Sequence, residues 1–194
     1  ILDGLGRTVG QAEHIPVHIG SLPIGVVNTL NYLKEMGWEM SEGDMYLVND
    51  PYIAGTHLND VTLIRPVFHA GRLMAFLANK AHHVDVGGLS SASISYGAVE
   101  LFQEGVVLPP IRLMEGNVLR MDLARLVAAN SRMPETVMGD LRAQVAANLL
   151  GERRLLELLS KVSPTTYHQA IEYILETTNA LALSEYRRMP HGVW

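Results

Sequence analysis

Two imidazoles and a carboxylate in one neighbourhood can hold a divalent metal and still leave positions open for water or a substrate. Residues 47–88 offer such a set. His57 and Asp60 stand three residues apart, His82, His83 and Asp85 follow, and Asp50 lies near the front of the stretch. A purely structural zinc site is normally closed by four protein ligands, thiolates among them, and this chain has no cysteine. The residue types therefore favour a reacting metal over a structural one. The competing reading is that these are ordinary loop residues, because a chain with eight histidines forms some clusters by chance.

The elements around these residues give them a way to meet. Residues 61–64 (VTLI) and 73–78 (LMAFLA) are short apolar runs without polar alternation, the pattern of buried strands. Ala70-Gly71-Arg72 between them would turn one strand back beside the other. His57 and Asp60 would then enter the first strand after the small-residue turn Ala54-Gly55-Thr56, and His82 and His83 would leave the second. Adjacent strand residues face opposite sides, so His82 and His83 are not expected to share one metal. Asp50, at the end of an apolar strand over residues 45–48, is read as capping the following turn ahead of reaching the metal.

Earlier in the chain, Gly4-Leu5-Gly6 suggests a hairpin turn. Pro16 argues against a helix through residues 11–20. An extended segment would put His14 and His18 on one face, where they could line the site or simply satisfy a strand edge. A helix is expected over residues 22–36, with Ser21 as N-cap, Pro23 in its first turn and Ile24, Val27, Leu30 and Leu33 as its buried stripe. Further on, Gly87 and Gly88 allow close backbone approach and lead into a Ser/Gly-rich segment over residues 89–100. Glu104, in an irregular stretch, is a candidate acid but reads more readily as a turn residue. Helices are expected over residues 121–129, 133–161 and 165–188, the last two forming a long hairpin. Arg142, Arg153 and Arg154 are read as solvated or ion-paired.

Composition narrows the function classes. The 194 residues carry a formal net charge of −5 and are 18% charged, with no basic run, which argues against a nucleic-acid partner. No apolar stretch reaches the ~20 residues a bilayer crossing needs. The start has no basic-then-apolar signal pattern, and the absence of cysteine is compatible with a cytoplasmic protein. The expected fold class is mixed α/β (α+β): a β-hairpin-rich part with the metal site over residues 1–130, then a helical hairpin over residues 131–194.

NDPYIAGTHLNDV, NKAHHVDVGG, ELFQEGVVLPPIRL and GDLRAQVAANLLGERRLLEL, in that order, resemble the hydantoinase B/oxoprolinase family, and the likeness extends back to AEHIPVHIGSLP. Members include the B subunit of ATP-dependent hydantoinases, the matching half of 5-oxoprolinase and the metal-bearing subunit of acetone-type carboxylases. Family members are much longer, so these residues are expected to be an N-terminal portion of a larger family domain, with a further acidic residue supplied from before Ile1.

The resemblance implies a metal-dependent catalytic subunit of an ATP-dependent hydrolase that opens C–N bonds in cyclic amides, working in an oligomeric complex. His57, Asp60 and His82 would ligate zinc, manganese or iron. His83, Asp85 and His18 would act as catalytic or orienting groups around them. No GxxxxGK[ST] motif occurs, so ATP is expected to be handled by a companion hydantoinase A-type subunit or domain. Two alternatives stand beside this: an ATP-dependent ketone carboxylase subunit of the acetone or acetophenone type, and a non-catalytic assembly module.

Overall fold

A computed structural model describes residues 1–12, 14–54, 56–91, 95–190 and 192. The expected turn at Gly55 and residues 92–94 of the Ser/Gly-rich segment lie outside the described residues. The chain divides into two compact units, Ile1–Arg154 and Leu155–Trp194. No helix among the described residues is long and apolar enough to cross a membrane.

The first unit is built on a six-stranded antiparallel sheet in the order β1-β4-β3-β2-β5-β6. Its strands are β1 (Leu2–Asp3), β2 (Met45–Val48), β3 (Asp60–His69), β4 (Arg72–His82), β5 (Ile111–Glu115) and β6 (Val118–Leu119). The mixed α/β expectation is borne out, and the β3–β4 hairpin turns where the sequence places it. Ala70 and Gly71 adopt φ of 51° and 73°, the paired left-handed conformation of a tight two-residue turn. Both strands run longer than their apolar runs suggested, because cross-strand pairing continues to Asp60 opposite His82.

Helices cover both faces. On one lie α1 (Val17–Glu35) and the short α2 (Pro51–Ala54), closing a core of Leu2, Val26, Val48, Ala54, Ile64 and Phe76. On the other, α3 (Met121–Ala129) and α4 (Pro134–Leu159) cover Met45, Leu47, Val61, Leu63 and Leu113. β2 lies inside the sheet between β3 and β5, and all four of its residues are buried. Arg65 of β3, also buried, donates to Glu152 Oε2 of α4 at 2.7 Å, tying strand to helix by a charge-assisted bond.

α1 departs from expectation. It begins at Val17, five residues before position 22, and Ser21 is not its cap. Pro16 takes the N-cap position in a helical conformation (φ −56°, ψ −31°), where a missing N–H costs nothing, so it opens the helix. Pro23 is inside the helix and withholds one N–H from the carbonyl ladder. The buried face is also rotated: Gly25, Val26, Thr29 and Leu33 are buried, while Ile24 and Val27 are exposed. Close packing on α2 sets this face. A Cβ added to Gly25 would sit 2.9 Å from the Ala54 carbonyl oxygen, so only glycine allows the approach.

In the second unit, α5 (Pro164–Arg188) starts one residue before the expected position, with the Ser163 hydroxyl accepting from the Thr166 N–H at 3.0 Å as its N-cap. Tyr167 and Ile171 are its buried residues.

Candidate metal centre

β3 begins at Asp60 and β4 ends at His82, and the two residues are direct partners across the hairpin. Their side chains therefore stand side by side on one face of the sheet. His57 is brought in by a tight turn in which the Asp60 N–H donates to the His57 carbonyl at 2.9 Å. Buried asparagines fix the frame around this corner. Asn49 Nδ2 donates to the Leu58 carbonyl at 2.8 Å, and Asn59 Nδ2 donates to the His83 carbonyl at 2.7 Å.

The three expected ligands converge. His82 Nδ1 lies 2.9 Å from Asp60 Oδ1, and His57 Nδ1 lies 3.0 Å from Asp60 Oδ2. The imidazole centroids are 4.8 Å apart. One ligand atom from each of the three residues falls within 4.8 Å of the other two. Asp60 is 1% exposed, more deeply buried than a loop ligand would be, yet its Oδ2 has no hydrogen-bond partner. The 3.0 Å approach of His57 lacks the alignment of a hydrogen bond. A buried carboxylate oxygen left this way costs free energy unless a cation compensates it. Two imidazoles beside it are the partners a divalent cation would accept. The residues fit such a group, and the donor set suits zinc, manganese or iron.

Electrostatics agree. Burial raises the Asp60 carboxyl, but the His82 hydrogen bond, the Thr56 hydroxyl and the nearby His57 and His18 outweigh it and hold Asp60 below the usual carboxylate range. His18 reaches the same corner from α1, with Nε2 3.8 Å from Asp60 Oδ1. Its pKa is lowered mainly by burial, which outweighs the pull of Asp60, so the ring is neutral at pH 7. Its Nδ1 is buried without a partner. Beside the group opens a cavity of about 670 Å³ whose lining includes His14, His18, Lys80, His82, Leu22 and Pro23.

Other candidates lie elsewhere. His83 is fully buried, with Nε2 2.9 Å from Gln144 Oε1 of α4, and burial lowers its pKa. Asp85 accepts from the Ser131 hydroxyl at 3.1 Å, the Arg132 N–H at 2.7 Å and the Arg132 guanidinium at 2.7 Å. Neither joins the His57–Asp60–His82 group. Asp50 accepts from the Tyr52 N–H at 2.9 Å and so caps α2, the turn role expected of it. Glu104 ends a single turn of 3₁₀ helix. Arg142, Arg153 and Arg154 are exposed.

Two residues at the site escaped the sequence reading. Thr56 helps to hold the Asp60 carboxyl low, and Lys80 extends its ammonium toward Ala54, Ser21 and Thr56. The signal for Lys80 was present: period-two alternation along β4 puts it on the face of His82.

Comparison with known proteins adds independent findings. The sequence model of the hydantoinase B/oxoprolinase family matches residues 1–194. An uncharacterized protein of Methanocaldococcus jannaschii is 44% identical over 187 residues, covering 96% of this chain and 33% of that protein. The caprolactamase beta subunit of Pseudomonas jessenii is 31% identical over 194 residues, covering 100% of this chain and 33% of that subunit. The crystal structure of the ATP-dependent caprolactamase from the same organism superposes with a TM-score of 0.89 at 31% identity, over 98% of this chain and 32% of that one. Nucleotide-free acetone carboxylase superposes with a TM-score of 0.81 at 19% identity, over 89% of this chain and 22% of that one, a likeness of fold. The chain thus spans about one third of the length of the first two relatives.

Proposed function

We propose that this chain, which belongs to the hydantoinase B/oxoprolinase family, carries the metal-dependent chemistry of an ATP-dependent enzyme that hydrolyses cyclic amides. The convergence of His57, Asp60 and His82 is the observation that carries the reading. The likeness to a caprolactamase subunit over the whole chain supports the substrate class. ATP would be handled by a hydantoinase A-type companion subunit or domain, because no phosphate-binding GxxxxGK[ST] loop occurs here. The working protein would be an oligomeric complex, and a cytoplasmic one.

His57, Asp60 and His82 would hold the cation. A bound divalent cation would supply Lewis-acid polarisation of an amide carbonyl and a water acidic enough to ionise near neutral pH. Around it, the chain's own groups have separate tasks. Asp60 stays ionised and sets the charge of the site. His18, neutral, lining the cavity and with Nε2 3.8 Å from Asp60 Oδ1, would accept a proton from an attacking water and return it to the departing amide nitrogen. The aliphatic side chains of Ile15, Leu22 and Pro23 line the cavity and would exclude bulk water from a ring held there. His83 and Asp85 would contribute at one remove. Their bonds to Gln144, Ser131 and Arg132 hold the backbone that follows His82 against the elements covering the opposite face of the sheet.

Two measurements test this. Elemental analysis should find about one divalent metal per chain, lost on chelation and restored with zinc, manganese or iron. The metal-loaded protein, with its companion and ATP, should open lactams, hydantoins or 5-oxoproline. Bicarbonate-dependent carboxylation of a small ketone would replace hydrolysis with the carboxylase reading. A chain that takes up no metal would leave the assembly module.

A further inference from the structure

We propose that Lys80 is a positioning residue for the metal-binding group, acting through the segment that carries His57. The inference rests on the reading of His57, Asp60 and His82 as ligands, and it concerns a residue that touches none of them.

Lys80 stands two residues before His82 on β4 and pairs in register with Thr62, so it shares the face of Asp60 and His82. Its ammonium reaches across that face to three oxygens from two neighbouring segments. Nζ lies 3.0 Å from the Ala54 carbonyl, 3.4 Å from the Ser21 hydroxyl of α1 and 3.4 Å from the Thr56 hydroxyl. An ammonium has three protons, and here there is one acceptor for each. Ala54 and Thr56 lie within three residues of His57. Lys80 therefore fastens the approach to His57 onto both the sheet and α1.

His57 is the member of the group in most need of such support. Asp60 and His82 are fixed by strand pairing, whereas His57 precedes β3, and its side chain is 40% exposed. The four-residue α2 before it is too short to hold the segment through helix propensity. Two other contacts anchor the same piece of chain. Asn28 Nδ2 donates to the Ile53 carbonyl at 3.1 Å, and Gly25 allows α1 to pack against Ala54. Lys80 supplies the attachment nearest the ligand.

The charge makes the proposal testable by sign. A cation beside a site for a divalent metal repels the incoming ion, so if charge were all that mattered, its removal would tighten binding. If Lys80 instead positions His57, its removal loosens a ligand and weakens binding. Residues that orient metal ligands typically change affinity by about 10–100-fold when lost.

The experiment is a titration of the metal-free 194-residue chain with cobalt(II), reading both affinity and visible absorption, for the wild type, Lys80→Met and Lys80→Arg. The expected result is a loss of about tenfold or more in cobalt affinity for Lys80→Met, with an altered d–d spectrum as His57 withdraws. Lys80→Arg, which keeps donors and charge, should recover most of it. Thr56→Val provides a second route that leaves Lys80 intact and should weaken binding in the same direction if Lys80→Met does not fold. Unchanged or tighter binding with an unaltered spectrum in a folded Lys80→Met, as judged by circular dichroism, overturns the proposal while leaving the metal centre standing. A wild-type chain that takes up no cobalt overturns both.

Discussion

At the scale of single residues, the behaviour of the site follows from one buried carboxylate. Asp60 is ionised, nearly inaccessible and left with an unpaired oxygen. Asp60→Asn keeps the shape and removes the charge, so it should lower metal affinity by tenfold or more while circular dichroism stays unchanged. Metal content and turnover equal to the wild type would remove Asp60 from the ligand set. Asp85 offers a contrasting carboxylate. Burial raises its pKa, but the backbone and guanidinium of Arg132 and the hydroxyl of Ser131 outweigh this and hold it below the usual carboxylate range. A depressed folded-state pKa means that its stabilising effect is present above the unfolded value, near 3.9, and is lost as pH falls toward the folded value. Asp85→Asn should therefore cost about 1–3 kcal/mol at pH 7. The difference between the two proteins should shrink below pH 4. Urea denaturation across that range checks both statements, and a pH-independent difference would show that charge is not what Asp85 contributes.

Among the elements, the β3–β4 hairpin was legible in the sequence and the register of α1 was not. Two apolar runs flanking Ala70-Gly71 determine the hairpin locally, and period-two alternation then places Asp60, Lys80 and His82 on one face. The face that α1 buries depends instead on a non-local fit between Gly25 and Ala54, which a hydrophobic stripe does not encode. His83 and Asp85 were singled out for their residue types, but their partners lie 46 to 61 positions away, at Ser131, Arg132 and Gln144. Nothing local announces those pairings. The tie between Arg65 and Glu152 is another long-range contact, and it yields a prediction at this scale. Arg65 is 1% exposed, and Glu152 is its carboxylate partner. Glu152→Ala leaves the buried guanidinium without its counter-charge, with only the neutral acceptors Asn117 Oδ1 and the Gly43 carbonyl beside it, and should cost about 3 kcal/mol. The double replacement Arg65→Met with Glu152→Leu should recover most of that loss. Equal stabilities for the single and double variants in urea would show that the pair is not coupled.

Over the whole molecule, the unsettled quantity is apolar surface. α5 buries Tyr167 and Ile171 but leaves Tyr173, Ile174, Leu181, Leu183 and Tyr186 exposed, the last at 70%. Helices in proteins are held mainly by burying an apolar face rather than by propensity. A 25-residue helix with that much uncovered surface is therefore held weakly over its second half. The remedy open to the isolated chain is to cover the surface with another copy of itself. We expect the 194-residue chain to associate as its concentration rises and to bind a hydrophobic dye in its dissociated form. Leu181→Glu, paired with Ile174→Glu, should shift the equilibrium toward monomer. Metal uptake should not change, because His57, Asp60 and His82 all belong to the first unit and the substituted residues to the second. Size-exclusion chromatography with light scattering measures the first effect and elemental analysis the second. A monomer over a wide concentration range with no dye binding would mean that this surface is satisfied within a single chain. Loss of metal together with loss of association would instead mean that assembly helps to build the site.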